Sequence, residues 1–247
     1  MVTQQRGQQA RVVAPRTAPG VSKGEINRCG DHLRDWWLSD DEPNDVTLMA
    51  WNAIQEFRSS FQYPMTKVAV GVRQFVRRES SEVIVAQRLK RMPQIINKLV
   101  RFPDTKLARM EDIGGCRAIL PGGRAEILGV MKRIKRNWDV KRERDYIDCP
   151  KPTGYRGVHL VVERDGQRIE VQLRTPGQQA WADAVERTAG RLRLPLKDGQ
   201  GHPELVEYFR LAAEGIAMDE GYLQPDAEFA TRFATARAAV QHYFQGR

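Results

Sequence analysis

Cysteine is scarce in this chain, and the cysteines it has do not pair. Cys29, Cys116 and Cys149 lie far apart, with no C-x-x-C among them. The sequence therefore supports neither a disulfide framework nor a zinc site, and a reducing cytoplasm is the expected location. Long apolar runs are missing too, which excludes a membrane-spanning helix. The opening residues lack the apolar core of a secretory signal. No internal repeat is found.

What the chain has in excess is positive charge. It carries 40 Lys and Arg against 31 Asp and Glu, a formal charge of +9 over 247 residues. Such a balance speaks of partners rather than fold and favours anionic ones: nucleotides, RNA or an acidic protein. The apolar fraction of 41% is enough for an ordinary core, and the length suits one sizeable domain with an added helical part.

Periodicity divides the chain into four stretches. Residues 1–21 are rich in Gln, Arg, Ala, Pro and Gly and read as a disordered basic tail. Residues 22–80 read as N-terminal helices. Ser22 and Glu25 form a capping box for a helix carrying Ile26, Leu33, Trp36 and Trp37, and a break follows at Asp40–Asn44. Leu48, Trp51, Ile54, Phe57 and Phe61 recur at helical spacing. Pro64 and Thr66 read as a turn before a helix with Val68, Val72 and Phe75. Residues 81–195 alternate strands and helices. Strands are predicted from Val83, over Cys116–Leu120, from Trp138 to Ile147, from Val158 to Glu163 and from Arg168 to Arg174. Asp165-Gly166 is a hairpin turn, Pro93 opens a helix, and further helices fall over 124–137 and 177–192. Residues 196–247 read as closing helices, over Glu204–Met218 and Asp226–Phe244. The expected class is α+β (α/β), a mixed sheet flanked by helices.

Four clusters hold residues suited to chemistry. Arg88 and Lys90 share a strand face, and with Lys98 they form a clamp suited to a triphosphate; an exposed basic face is the plainer reading. Asp112 stands before Gly114-Gly115 and Arg117, a carboxylate suited to Mg²⁺ and a guanidinium suited to stacking on a purine; a helix cap and a surface Arg are the alternative. The loop Tyr146–His159 offers Lys151 and Arg156 for phosphates and Tyr155 for a base. Glu170, Gln172 and Arg174 share one strand face, with Val171 and Leu173 on the core side. Glu170 suits metal binding or proton abstraction from a hydroxyl.

Taken in order, these clusters resemble the synthetase domain of the RelA/SpoT (stringent-response) family. Its pattern runs Arg-x-Lys, then Lys, then Asp-x-x-Gly-x-Arg, then a Tyr-Ile-x-x-Pro-Lys-x-x-Gly-Tyr-x-x-x-His loop and Glu-x-Gln-x-Arg-Thr. Here it reads Arg88/Lys90/Lys98, Asp112/Gly115/Arg117, Tyr146 to His159, and Glu170/Gln172/Arg174/Thr175. The resemblance covers roughly residues 50–190. Gln94 stands where the family usually has Ser, Gly157 where a loop Ser is common, and Arg187 follows Glu186 where many members have His. No His-Asp dipeptide occurs, so the hydrolase domain of the long bifunctional members is not expected. The run Gln179–Glu186 looks most like the small toxic members.

The resemblance implies a nucleotidyltransferase-like fold and transfer of the β,γ-pyrophosphate of ATP to a nucleotide 3′-hydroxyl. It places adenine between Arg88 and Arg117 and the ATP phosphates on Lys90 and Lys98. Mg²⁺ falls to Asp112 and Glu170, with Glu170 also activating the hydroxyl. Tyr155 stacks on the acceptor base, and Lys151 and His159 face acceptor phosphates or ribose. Three acceptors stay open: guanine nucleotide (GDP or GTP), an adenine nucleotide, or the 3′ end of tRNA. The expectation leans to tRNA, hence to a translation-inhibiting toxin with a neutralising antitoxin. That lean rests mainly on the resemblance to the small toxic members; the basic tail (Arg6, Arg11, Arg16) and the run Lys132, Arg133, Lys135, Arg136, Lys141, Arg142, Arg144 add phosphate contacts for a large RNA. A catalytically dead RNA-binding regulator is the alternative of another class.

Overall fold

The computed structural model describes residues 21–77 and 84–245. The expected basic tail, Val21 apart, lies outside the described residues, as does Val83. Helix α1 (Lys23–Trp37) opens with the Ser22/Glu25 capping box. Helix α2 (Asp45–Ser59) is capped by the Asn44 side chain on the Thr47 amide. Helix α3 (Gln62–Val76) then runs straight through Pro64, where a turn was predicted. Pro64 falls within the first turn, where backbone N–H groups have no intrahelical partner, so its missing donor costs nothing.

The sheet is built from β1 (Ile84–Leu89), β2 (Gly114–Ile119), β3 (Val140–Asp145), β4 (Val158–Arg164) and β5 (Gln167–Arg174). The strand order is β1-β2-β5-β4-β3. Only β2 and β5 run parallel; the other pairings are antiparallel. Asp165 and Gly166, both at positive φ, make the β4–β5 hairpin turn as predicted. Two predicted edges move. Gly114 and Gly115 belong to β2, and Trp138 caps the preceding helix instead of opening β3.

Helices α4 (Met92–Arg101), α5 (Gly123–Asn137), α6 (Pro176–Leu192), α7 (Pro203–Asp219) and α8 (Phe229–Gln245) complete the described α-helices, with α8 beginning three residues later than the sequence reading placed it. One sheet face is apolar. Cys116, Ala118, Val171 and Leu173 are buried there in one core with Val68 and Val72 of α3 and Ile127 and Ile134 of α5. A second apolar cluster joins Trp181 and Val185 of α6 to Leu205 and Phe209 of α7. The other sheet face is polar and lines a cleft. Among the described residues, no helix is long and apolar enough to cross a membrane.

Candidate active site

Strand register aligns the polar face into two rows. Arg88, Gly115, Glu170, Val161 and Arg142 lie across from one another, and so do Ala86, Arg117, Gln172, His159 and Arg144. A cleft of about 600 Å³ lies over the Arg142–Arg174 side. A second, of about 690 Å³, lies over the β1–α4 side. Both are lined by Arg88, Asp112, Arg117, Lys151 and Glu170, so the two are lobes of one site. Gly115 keeps the floor low between them, since a Cβ there would meet the Glu170 carbonyl oxygen at 3.0 Å.

Lys90, just past β1, keeps extended pairing through its amide to the Ile113 carbonyl. Its Nζ thereby donates to Asp112 Oδ2 at 2.8 Å, while Lys98 of α4 donates to Oδ1 at 2.9 Å. Burial alone would raise the Asp112 pKa, but the two ammonium groups outweigh it and hold the carboxyl below its ordinary value. The helix-cap reading of Asp112 is therefore wrong: its carboxylate organises two cations. Arg88 and Arg117 are diagonal neighbours on one face, a spacing of about 7–8 Å. That gap suits a flat ring between two guanidinium planes. Arg88 also donates to Gln94 at 2.5 Å, so the residue that departs from the family pattern orients a cation of this lobe.

In the other lobe a hydrogen-bond chain runs through four of the expected residues. Arg174 Nη2 donates to Tyr155 Oη at 2.8 Å, and Tyr155 Oη lies 2.5 Å from His159 Nε2. His159 Nδ1 lies 2.8 Å from Glu170 Oε1. Since the tyrosine oxygen accepts from Arg174, its proton points to Nε2, which leaves Nδ1–H to donate to Glu170. Gln172 Nε2 donates to the other Glu170 oxygen at 2.7 Å. Burial would raise the Glu170 pKa; the His159 and Gln172 contacts prevail and hold it below the usual carboxylate value.

Arg174 is only 8% exposed. Its hydrogen bonds go to neutral oxygens of Gln179, Tyr155 and Gln172, and no carboxylate among the described residues pairs with it. A buried cation without a counter-charge is costly, so this wall of the cleft suits an anion. The Tyr155 ring carries Lys151 Nζ at 5.2 Å and the Arg174 guanidinium at 5.1 Å from its centroid. Gly157 sits at φ 148°, and a Cβ there would come within 3.3 Å of Arg174 Cγ and Tyr155 Oη. In this chain a side chain at 157 would need a strained backbone and a small shift of those two neighbours.

Arg156 is the exception among the predicted residues. It lies outside both lobes, donates to the Ile147 carbonyl at 2.8 Å and feels the charges of Glu220 and Glu214; it braces the loop from behind. Residues missed by sequence reasoning include Tyr146, whose ring shares Lys151 at 4.9 Å, and Lys197, Asp183 and Glu186, which line the cleft. Arg142, Arg144 and Arg168 were also missed as site residues, although counting every second residue along β3, and back from Glu170 along β5, puts them on the polar face.

Among the described residues, no three His, Cys, Asp or Glu cluster as a ready-made metal site. Two carboxylates facing one cleft, electrostatically coupled and both held ionised, do fit Mg²⁺. That ion takes one or two carboxylates and completes its shell with phosphate and water.

The fold is an α+β domain with a mixed sheet whose polar face joins two cation-lined lobes beside two carboxylates. Residues 87–189 match the model of the family described as a region found in RelA / SpoT proteins. GTP pyrophosphokinase YwaC of Bacillus subtilis (strain 168) is 33% identical over 110 residues, 38% of this chain and 52% of that protein. The chain thus spans about half the length of that relative. Among solved structures, small alarmone synthetase 2 from Bacillus subtilis superposes with TM-score 0.58 at 22% identity, over 66% of this chain and 93% of that one. Small alarmone synthetase 1 from Bacillus subtilis, bound to its product pppGpp, gives 0.57 at 22% identity, over 69% and 94%. These structures share the fold.

Proposed function

We infer that the chain is an ATP-dependent pyrophosphotransferase that moves the β,γ-pyrophosphate of ATP to a nucleotide 3′-hydroxyl and releases AMP. The observation that carries this reading is Glu170, an ionised carboxylate set where the two lobes meet, with two lysines and two arginines on one side and the Tyr155 loop on the other. The family match over residues 87–189 supports the same chemistry.

In this reading adenine slots between Arg88 and Arg117, and Lys90 and Lys98 release Asp112 to grip the ATP phosphates. Asp112 and Glu170 would hold Mg²⁺, which when bound supplies charge neutralisation to the phosphates. Glu170, oriented by His159 and Gln172, accepts the proton of the 3′-hydroxyl. The hydroxyl oxygen bonds to the β-phosphorus as the bridge to the α-phosphate breaks, and AMP carries away that oxygen. Little covalent work falls to the protein; positioning and cationic charge do the rest. Lys151 and Arg174 are the anion-seeking groups of the acceptor lobe.

A guanine nucleotide is the acceptor best supported, because the relative named above is a GTP pyrophosphokinase and the fold neighbour holds pppGpp. The tRNA reading, with its toxin role and antitoxin, came mainly from resemblance to the small toxic members, and the surface cations that added to it are partly paired here. Lys135 meets Glu143, Lys141 meets Asp139 and Glu163, and Arg142 meets Glu111. The test is ATP labelled on the γ-phosphate, incubated with protein and GDP, GTP or deacylated tRNA in parallel. Label in a guanosine product is expected. Label on tRNA alone transfers the reaction to the other acceptor, and label nowhere removes the enzyme reading in favour of a binding protein.

A further inference from the structure

The residues just past the matched region, which ends at 189, reach back into the lobe that suits ATP. After α6 the chain turns through Arg193 at φ 54° and makes a single 3₁₀ turn, Leu196–Asp198. Leu196 is buried in the second apolar cluster with Trp181, Val185 and Leu205. Gly201, at φ 147°, packs on that anchor so closely that a Cβ there would strike Leu196 Cδ2 at 2.6 Å. The turn is thus pinned at Leu196. The two charged residues that follow, Lys197 and Asp198, are held at the rim of the β1–α4 lobe, and both line it.

Each of the two occupies a partner on the ATP side. Lys197 Nζ lies 3.1 Å from Glu186 Oε2, and Glu186 Oε1 lies 3.8 Å from Arg88 Nη1. Burial alone would raise the Glu186 pKa, but Lys197, Arg88 and Arg117 outweigh it and hold the carboxyl below its ordinary value. Asp198 forms an ion pair with Arg101, another residue lining the same lobe. Arg101 stands three residues beyond Lys98 on α4, so the two cations share one helix face. The order along this strap is therefore the order of the donor. Arg88, where adenine would lie, comes first, then Lys197, then Arg101, one turn past the lysine assigned to ATP phosphate. The side chains of Glu186, Lys197, Arg101 and Asp198 are each at least 31% exposed. Ion pairs of that kind are weak, and a polyphosphate carries enough charge to displace them.

We propose that Lys197 is a further contact for the β,γ-phosphates of ATP, and that Asp198 is an internal stand-in for those phosphates on Arg101, which ATP displaces. The proposal rests on the ATP reading and deepens it: a segment past the matched region tunes affinity for the donor. In the free protein Glu186 holds Lys197 and Asp198 holds Arg101. When ATP enters, its phosphates take both cations and the two carboxylates turn to solvent, while Leu196 keeps the backbone in place. Consecutive residues then act with opposite signs, the lysine for ATP binding and the aspartate against it.

Calorimetric titration of the full chain with α,β-methylene-ATP and Mg²⁺ tests this, beside AMP as a ligand without the β- and γ-phosphates. Lys197→Ala should raise Kd for the ATP analogue about 3- to 30-fold, the loss of one charge-assisted contact at a partly exposed site. Lys197→Arg should keep it within about three-fold of wild type. Asp198→Asn should lower Kd about 2- to 5-fold, the competition set by an exposed ion pair. Affinity for AMP should change by less than about two-fold in every variant. Asp226→Asn alters net charge equally but away from the cleft, and should leave Kd for the analogue as it is. Weaker binding in both Lys197→Ala and Asp198→Asn would mark the turn as a structural support and overturn the proposal. Equal shifts with AMP, or a gain in Asp226→Asn as large as in Asp198→Asn, would reduce it to general electrostatics and overturn it. Unchanged Kd throughout does the same. Kinetics separate the strap from the reaction, since KM for ATP should follow Kd while KM for the acceptor stays within about two-fold. Opposite shifts of Kd in a protein that labels no acceptor keep the strap and remove the reaction reading. Labelled product with Kd unmoved removes the strap and keeps the reaction, and absence of analogue binding removes both.

Discussion

At the scale of single residues, the site turns on keeping two half-buried carboxylates charged. Asp112 does so with Lys90 and Lys98, and Glu170 with His159 and Gln172. Substituting Glu170→Gln keeps the shape and removes the charge, so pyrophosphate transfer should fall by about 10³-fold or more. Binding of an ATP analogue, measured by calorimetry, should change far less. Asp112→Asn should leave two ammonium groups facing each other. The lysines are partly solvated, so the stability loss is about 1–3 kcal/mol, readable by urea denaturation. The pH dependence follows from the sign of the shifts. Both carboxyls sit below their ordinary pKa in the fold, so the unfolded chain binds protons first as pH falls. Their stabilisation is complete above the unfolded value of about 4 and is lost as pH drops through the lower folded values. Wild-type stability should therefore fall more steeply between about pH 5 and 3 than that of Asp112→Asn; equal slopes would mean that Asp112 is not held ionised.

At the scale of elements, β2 decides whether the two lobes communicate. Gly115 brings its backbone against Glu170, and Gly115→Ala would press a methyl on the Glu170 carbonyl at 3.0 Å. Overpacking of that kind costs about 1–3 kcal/mol, and the shift falls on the carboxylate proposed to take the proton. Turnover should drop by about ten-fold or more, while circular dichroism still reports a folded protein. Thr175 joins β5 to α6. Its hydroxyl caps the helix at Gln178 and reaches Glu220 at the end of α7. Such local grammar was legible in the sequence. The Ser22 box, Pro93 at a helix start, the Asp165-Gly166 turn and the alternation along β5 depend on neighbours close in the chain. Pro64 was misread because a proline in a first helical turn looks like a turn signal until tertiary packing chooses. The ion pairs of Glu111 were invisible for a different reason: Arg142 and Arg168 meet that carboxylate only after β3 and β5 join one sheet. Arg156 failed likewise, since no local pattern tells which way a loop side chain turns.

At the scale of the whole molecule, net charge and usable charge differ. The +9 balance favours anionic partners without choosing among them, and many cations are committed to carboxylates outside the cleft. Arg124 holds Asp145 and Asp148, Arg210 holds Glu207 and Glu214, and Arg232 holds Glu214 and Asp226. Arg88, Lys98, Arg117, Arg144, Lys151 and Arg174 instead line the cleft. Cations gathered in a cleft suit a compact anion better than an extended backbone. Salt separates the two cases, because each phosphate neutralised on a polynucleotide releases condensed counterions. With GDP as acceptor, the log of kcat/KM against the log of salt should fall with a shallow slope, roughly −1 to −3. An RNA held through six or more phosphates would lose about 10³-fold or more between 50 and 200 mM salt. Measured on the full chain, so that residues 1–20 contribute as well, a steep slope with tRNA and no turnover of GDP would overturn the guanine-nucleotide reading. A shallow slope with GDP would fix the acceptor as a small nucleotide and limit the role of the surface cations to solubility and encounter.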